Sequence, residues 1–587
     1  MTADTLTVDP EIKLKYEEEK QKRIRKDGGQ QFIDLINSEQ YHHLAEDPWV
    51  DHAALNSEEP PIQDGGSYGY LTLGAGYGGL IFAARLIDSG VPAKDIRMVD
   101  TAGGFGGTWY WNRYPGLMCD IESYSYMPLL EETGYMPKNR YAYGPELRQY
   151  AEKIASHYDL SKNALFRSRI VKQTWDDKAK VWKVHISEYR GPQYGFRDLH
   201  GLRVGILGTG ATAVQAVPRL AEFAKHLYVF QRTPSSCAER GQRDTDPVEF
   251  KKISAEKGWQ RKRQENLNSF TRGEPLEENL VRDGWCKLPA FSAVIGSSRK
   301  GAIPPQDMQS HLTELEALDL PWAQTLRKRV EEIVEDKEAA ENLKFWYPTY
   351  CKRPTFHDEY LQSFNKPNVQ LVQTAPEGIE SATERGVTVN GVEYPVDLMI
   401  FSTGYGLAVS KGTGCPADSS DVEVVGRNGL TMPQKWIERG PATLHGVATR
   451  DFPNLFFNSS SQSGAACNVS YVLDITATHT AYIIKSARET AGKEQFSVEP
   501  TEQAEERWSM ETAQLSTWFV AFPTCTPGYY NNYGTIGTKK GPGEIDPKEM
   551  IKAARKAPWG LGSQNYASRI EGWRESGKAL EDLDILA

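Results

Sequence analysis

The sequence predicts an α/β protein with two Rossmann-like dinucleotide-binding domains and a helical insertion. Three observations predict it. Gly74-Ala75-Gly76-Tyr77-Gly78-Gly79 and Gly208-Thr209-Gly210-Ala211-Thr212-Ala213 are glycine turns, each preceded by an apolar run of strand length and followed by a helical one. A charged stretch of helical pattern, residues 240–345, follows the second turn. The 587 residues exceed what one core can organise, and that length suggests about four units of ordinary size.

Composition narrows the function. A hydrophobic share of 39% beside 25% charged residues is globular. Lys+Arg 68 against Asp+Glu 78 gives −10, which leaves no electrostatic footprint for nucleic acid. Seven cysteines, at 119, 237, 286, 351, 415, 467 and 525, are scattered, odd in number and without CxxC spacing. That pattern argues for a reducing compartment and against a disulfide framework or a zinc site, so no metal is expected. With no apolar leader and no run of about 18 apolar residues, a cytoplasmic protein without a membrane partner is expected.

In chain order, the first fifty residues are polar. Glu17-Glu18-Glu19-Lys20 leads into Lys22-Arg23-Ile24-Arg25-Lys26, acidic before basic, a favourable order along a helix. The simplest expectation is a solvated helix packed on the surface, ahead of the alternative of a specific partner site. Glu58-Glu59-Pro60-Pro61 and Asp64-Gly65-Gly66 form a linker. Tyr68 to Leu73 reads as a strand, Leu80 to Leu86 as a helix, and Ile96 to Asp100 as a second strand that ends on an acid. Gly74 permits the tight turn, Gly76 lets backbone approach a pyrophosphate, and Gly79 lets the helix pack on the strand. Asp100, twenty-one residues beyond Gly79, suits a ribose hydroxyl.

A second glycine-rich run, Gly103-Gly104-Phe105-Gly106-Gly107, opens onto Thr108-Trp109-Tyr110-Trp111-Asn112-Arg113-Tyr114-Pro115-Gly116 and then Cys119-Asp120-Ile121-Glu122-Ser123. Aromatic rings with polar handles beside flexible backbone suit a wall against a flat cofactor, with Asp120 left to hold a second group. Tyr141 to Tyr158 is helical in pattern and Phe166 to Ile186 reads as short strands. Leu202 to Leu207 is another buried strand, followed by the second turn and a helix from Val214 to Phe223. The next strand, Leu227 to Phe230, ends on Gln231-Arg232-Thr233. An acid at that place favours a free ribose 2′-hydroxyl, whereas an arginine accommodates a 2′-phosphate. One site ending on Asp and one on Arg indicate FAD and NADPH.

Val387 to Tyr394 reads as a hairpin. Val396 to Gly404 reads as a buried strand expected to return to the first sheet, bringing Asp397 or Gly404 near the flavin. Phe456-Phe457-Asn458, Gln462-Ser463-Gly464 and Pro527-Gly528-Tyr529-Tyr530-Asn531-Asn532 are loop segments able to cover a ligand cavity. The expected layout is an N-terminal helical extension and linker (1–66), the first part of the FAD-binding domain (67–190) and an NADP-binding domain (191–240 and 346–385). A helical insertion (241–345) and the second part of the FAD-binding domain with the C-terminal region (386–587) complete it.

Together these segments, with Cys351-Lys352-Arg353-Pro354, Phe401-Ser402-Thr403-Gly404 and Thr526 to Asn532, resemble the type I (class B) flavoprotein Baeyer–Villiger monooxygenases. Leu117 to Asp120 and Phe356 to Tyr360 look most like fungal members serving polyketide or meroterpenoid biosynthesis. The resemblance implies that Thr108, Trp109, Tyr110, Trp111, Asp120, Ile121 and Tyr126 line the FAD, and that Met118, Cys119 and Asp120 face the nicotinamide. It implies that Thr209, Gly210, Ala211, Thr212, Ala213, Val214 and Gln215 hold the NADP pyrophosphate, with Arg232, Thr233 and Lys352 near the 2′-phosphate. Arg353 would be the catalytic arginine over the flavin, oriented by Asp120. The implied reaction uses NADPH and O₂ to convert a small-molecule ketone to an ester or lactone. Oxygenation of nitrogen or sulfur, and a flavin-binding pseudoenzyme, stay open.

One departure marks the likeness. The family's fingerprint, Phe-x-Gly-x-x-x-His-x-x-x-Trp/Tyr, precedes the second turn. Here that place holds Gly195-Phe196-Arg197-Asp198-Leu199-His200-Gly201-Leu202, with His200 at the wrong interval and no tryptophan before Gly208. The connection from Ile186 to Leu202 is short by several tens of residues, including a strand and a linker.

Overall fold

The computed structural model describes residues 8–32, 39–40, 47–188, 200–405, 413–534 and 546–587. The fingerprint segment Gly195 to Leu199 lies outside them.

The first nucleotide unit has the predicted strand–turn–helix order. Strand β1 (Tyr70–Leu73) runs into the first glycine turn and the helix Tyr77–Asp88, then β2 (Ile96–Val99) pairs parallel with β1 from Tyr70↔Ile96 to Leu73↔Val99. The short β3 (Ala164–Leu165) joins on the far side of β2, so β1 is an edge strand among the described residues. In a doubly wound sheet that strand is ordinarily central. The consequence is visible in Leu73, which is 43% exposed. Helix Gly144–His157 confirms the Tyr141–Tyr158 reading and buries Leu147, Tyr150, Ala151 and Ile154. The Phe166–Ile186 strands are β4 (Ser168–Asp176) and β5 (Val181–Glu188), an antiparallel pair.

The second unit is a four-stranded parallel sheet. Strand β6 (Arg203–Leu207) precedes the second turn and helix Ala211–Phe223, and β7 (His226–Gln231) lies beside β6. The chain then passes through β8 (Cys237–Ala238), the insertion, and β9 (Thr355–Phe356), which pairs with β8. Strand β10 (Val369–Gln373) adds outside β7. A small antiparallel sheet follows, with β11 (Ser381–Ala382), β12 (Gly386–Val389) and β13 (Val392–Pro395), the last two being the predicted hairpin.

Strand β14 (Leu398–Phe401) corrects one expectation. It pairs parallel with β6 from Leu398↔Val204 to Phe401↔Leu207, inside the second sheet rather than the first. Asp397 does not approach the first unit: it closes on Arg203, with Oδ1 and Oδ2 accepting from the guanidinium at 2.6 and 3.0 Å. An apolar parallel strand carries no mark of which sheet it joins. This one is not buried as expected but is a half-buried edge strand with Phe401 67% exposed, and the segment 386–401 belongs with the second unit.

The insertion is helical, as read, with helices Pro247–Ile253, Trp259–Thr271, Met308–Ile333 and Lys337–Leu343. Its apolar side chains, among them Trp259, Leu267, Trp285, Leu315 and Leu326, join one core with Leu80, Ile96 and Ile121 of the first unit. The N-terminal helix Pro10–Gln21 docks on this insertion through Lys13–Glu316 at 3.0 Å and through Tyr16, whose hydroxyl meets Arg327.

A second correction concerns the cysteines. Cys351 and Cys525, 174 residues apart, form a disulfide with Cα atoms 5.2 Å apart, whereas Cys119, Cys237, Cys286, Cys415 and Cys467 are free thiols. The bond fastens the Lys352-Arg353 segment to the loop that begins at Thr526. Among the described residues no helix is long and apolar enough to cross a membrane.

Candidate active site

The two glycine runs of the first unit meet backbone to backbone. Gly106 N–H donates to Ala75 O at 3.1 Å, and a Cβ on Gly107 would stand 2.9 Å from Gly76 Cα. At Gly79 a Cβ would lie 2.0 Å from Gly74 O, so no larger residue fits that helix start. Gly74 has φ +98°. Asp100 sits at the end of β2 with Oδ2 accepting from Ala75 N–H at 2.6 Å and Oδ1 from Ala102 N–H at 2.8 Å; burial pushes its carboxyl up.

Thr108–Trp111 is a single helical turn starting at Gly107. Thr108 is exposed, Trp109 and Tyr110 are buried and Trp111 is half-buried. Trp109 Nε1–H donates to Tyr126 Oη at 3.1 Å with the rings edge to face, which fixes both rings as one wall. Tyr110 turns away, its hydroxyl donating to Asp47 at 2.6 Å.

Met118, Cys119, Asp120 and Ile121 follow as a buried strand-like segment. Cys119 is an inert thiol, pushed up by burial and by Asp120. The charged partner of Asp120 comes from 233 residues away: Arg353 Nη1 reaches Oδ2 at 2.5 Å and Nη2 reaches Oδ1 at 2.9 Å. Burial alone would raise the Asp120 carboxyl, but the Arg353 charge and hydrogen bonds hold it below the usual carboxylate range. The Arg353 side chain keeps 37% of its surface exposed, so the guanidinium is held from one side and open on the other.

The second unit repeats the turn. Gly208 has φ +104°, and a Cβ there would lie 2.4 Å from Ser402 O. Thr209 Oγ1–H donates to Thr233 O at 2.7 Å, binding the turn to the strand end that carries Arg232. Gly210 caps the helix, with Ala211 and Thr212 in its first turn. Ala213 and Val214 face the core, so only their backbone can meet a ligand. Gln215 bridges the units instead: its Oε1 accepts from Met118 N–H at 2.9 Å and its Nε2–H donates to Tyr114 Oη at 3.2 Å. Lys352 Nζ donates to Pro527 O at 2.8 Å; burial, with Arg232 and Arg23 nearby, lowers its ammonium to about 7. Neither Arg232 nor Lys352 has a carboxylate partner among the described residues.

Similar proteins are known. The chain is 45% identical to the polycyclic ketone monooxygenase of Thermothelomyces thermophilus over 98% of its own length and 96% of that protein's. It is 40% identical to an FAD-binding monooxygenase of Penicillium brasilianum over 98% and 97% of the two lengths. The solved structure of a polycyclic ketone monooxygenase from Thermothelomyces thermophila matches with TM-score 0.93 at 44% identity, covering 98% of this chain and 99% of that one. The closed structure of cyclohexanone monooxygenase, at 24% identity and TM-score 0.66 over 88% and 99%, shows the fold alone. No family model matches. The chain belongs to the fungal FAD-binding monooxygenases.

Its alignment with the Thermothelomyces monooxygenase runs over 639 positions against the 587 residues of this chain, so at least 52 positions of that alignment have no residue here. Other features of this monooxygenase escaped the sequence reading. Trp285, from the insertion, donates Nε1–H to Asp120 O at 3.1 Å and lies under Arg353, the guanidinium 5.6 Å from its ring. Asp283, two residues earlier, accepts from Glu122 N–H at 2.9 Å. Only an isolated Asp-Gly-Trp in a polar stretch signalled either. Of the loop segments expected over the cavity, Gln462 proves a core residue, fully buried and bonded to Thr443, Pro441 and Arg555 backbone or side-chain atoms. Asn531 is buried too, holding the Thr526–Gly534 loop through Gly528 N–H at 2.9 Å.

Proposed function

We propose that the chain is a Baeyer–Villiger monooxygenase that uses FAD and NADPH to insert one oxygen atom beside the carbonyl of a ketone. The balance is ketone, O₂, NADPH and a proton giving ester or lactone, NADP⁺ and water. The observation that carries the reading is the Arg353–Asp120 pair, placed where the Met118–Ile121 segment of the first unit touches Gln215 of the second.

The residues fit both groups. The paired glycine runs leave room only for backbone, so their N–H groups and the start of helix Tyr77–Asp88 suit the FAD pyrophosphate. Trp109 and Tyr126 supply the aromatic wall. The Gly208–Gly210 turn and helix Ala211–Phe223 suit the second pyrophosphate, and the cations Arg232 and Lys352, with no carboxylate partner among the described residues, suit a 2′-phosphate, with Thr233 beside them. Bound FAD supplies the oxygen chemistry and NADPH the two electrons. Arg353 offers a permanently charged planar fork to negative charge that develops on oxygen, and Asp120 fixes the fork's direction.

The ketone is polycyclic in this reading, as it is for the polycyclic ketone monooxygenase of Thermothelomyces thermophilus. We place the substrate among polyketide or meroterpenoid skeletons, and the enzyme in the cytoplasm with its NADPH supply. The purified chain, incubated with NADPH and a polycyclic ketone, should yield a product heavier by one oxygen atom. The second reading, a flavin-binding pseudoenzyme, draws on the edge position of β1 and the shortened connection. A yellow protein that anaerobic NADPH never bleaches would support it.

A further inference from the structure

The N-terminal helix is packed on the surface as expected, with none of its residues buried. Helix Pro10–Gln21 lies on the insertion, and its docking carries Arg23 to the rim of the second nucleotide unit. Arg23 Nε–H donates to Thr233 Oγ1 at 3.0 Å, while its Nη1 is held by Glu19, through the carboxylate at 2.6 Å and the backbone oxygen at 2.5 Å. Thr233 in turn accepts, through its backbone oxygen, the Thr209 hydroxyl of the glycine turn. Gln31 of the same segment accepts from Arg232 Nη1 at 2.5 Å, and Phe32 packs on Tyr533 with ring centres 4.5 Å apart. The segment thus reaches both the nucleotide turn and the C-terminal loop whose Pro527 oxygen holds Lys352.

The charges at this spot do not balance. Arg23, Arg25, Arg232 and Lys352 converge, and Lys22 lies beside them. Among the described residues the acids acting on these cations include Glu19, shared by Arg23 and Lys22, Asp27, bound to Arg25 at 2.7 Å, and Glu377, which acts on Arg25, fewer than the five cations. Burial, then Arg25 and Arg23, lowers the Arg232 guanidinium from its ordinary value, and Lys352 feels Arg232 and Arg23 in the same way. Cations pressed together in a partly buried site raise each other's energy, and an anion entering among them relieves that cost. Arg232 follows the strand where the Rossmann arrangement puts a 2′-phosphate, so the anion of matching charge and place is that phosphate.

We propose that Arg23, delivered by the N-terminal helix, is a further reader of the nucleotide 2′-phosphate, so that the extension completes the NADPH site and sharpens its choice against NADH. This rests on the assignment of the second turn and Arg232 to NADPH. Arg23 is a specificity residue here: it supplies charge to the phosphate and holds Thr233, which holds the turn.

Titration calorimetry of the FAD-loaded full chain with NADP⁺ and with NAD⁺ tests it. Losing a charge-assisted contact should weaken NADP⁺ binding by about tenfold in Arg23→Ala, with NAD⁺ binding unchanged. Arg23→Gln keeps a donor for Thr233 without the charge and should lose the same preference. Arg23→Lys should recover part of it. Equal weakening of both nucleotides in Arg23→Ala and Arg23→Gln would reduce Arg23 to a structural strut and overturn the proposal, as would unchanged NADP⁺ binding. If the unaltered chain does not prefer NADP⁺, or Arg232→Ala leaves the preference intact, the underlying NADPH assignment fails instead, before Arg23 is at issue.

Discussion

Arg353 and Asp120 form a two-pronged ion pair, 2.5 and 2.9 Å, across 233 residues of sequence, and the insertion's Trp285 braces both partners. Three parts of the chain therefore converge on one guanidinium. Removing Arg353 would leave the buried Asp120 carboxylate without its partner, and such pairs hold geometry more than they add stability. The two hydrogen bonds fix the direction of the planar fork.

Arg353→Ala should still bind FAD, because the glycine cradle and the Trp109–Tyr126 wall are untouched. Its ketone turnover should fall by about 10²–10³, or about 2.7–4 kcal/mol, the usual cost of losing one preorganised donor to an oxyanion. Arg353→Lys should rescue little, since a point charge lacks the fork. Asp120→Ala should be milder. Product formation by mass spectrometry beside flavin absorbance separates binding from turnover, and near-normal ester formation by Arg353→Ala would end the assignment.

How much of this was legible follows from how local each signal is. Both glycine turns, the aromatic run and Asp120 were readable because their chemistry is written in consecutive residues. Arg353 was reachable only through likeness to a family, because nothing in Cys351-Lys352-Arg353 says that Asp120 lies opposite. Trp285 had no motif. Neither the Cys351–Cys525 bond nor the choice of β14 for the second sheet leaves a trace in spacing, since both are decided by tertiary packing. The charge run around Arg23 read as a solvated helix because alternating acids and bases describe that equally well.

Arg232 should decide the nucleotide. Arg232→Ala should raise the Michaelis constant for NADPH by an amount equivalent to about 1.5–3 kcal/mol, the range for a hydrogen bond to a charged group, and leave that for NADH nearly unchanged. Steady-state kinetics with both nucleotides measures it. Equal effects on the two would sink the reading.

The edge position of β1 should weaken the first unit. A strand paired on one side only opens more easily than one paired on both, so the amides of Tyr70–Leu73 should exchange with solvent faster than those of Ile96–Val99. Flavin reduction in the chain as it stands should be slow or poorly coupled to oxygen transfer. Inserting the corresponding segment of a close relative between Ile186 and Leu202 should slow β1 exchange and raise the ester formed per NADPH consumed. A tightly coupled unaltered chain with a protected β1 would contradict this account of the connection.

The last prediction concerns pH and Lys352. Burial, Arg232 and Arg23 bring its ammonium down to about 7, so near neutrality the free protein holds it in both forms. A bound phosphate favours the charged form. Below pH 7 the charge is already present; above pH 7 binding must take up a proton, and affinity for NADP⁺ should fall by up to about tenfold per pH unit. The phosphate acts in the opposite sense at lower pH, since a second ionisation near pH 6 (about 6 for phosphate monoesters) makes it a better ligand as pH rises. Affinity should therefore peak between these two ionisations. NAD⁺, without the 2′-phosphate, should show neither limb. Lys352→Arg keeps its charge at every accessible pH, so its alkaline limb should flatten while the acid limb stays. Calorimetry across that range, with both nucleotides and both proteins, checks each limb. An alkaline limb that survives in Lys352→Arg would assign the titration to another group and remove Lys352 from the phosphate site.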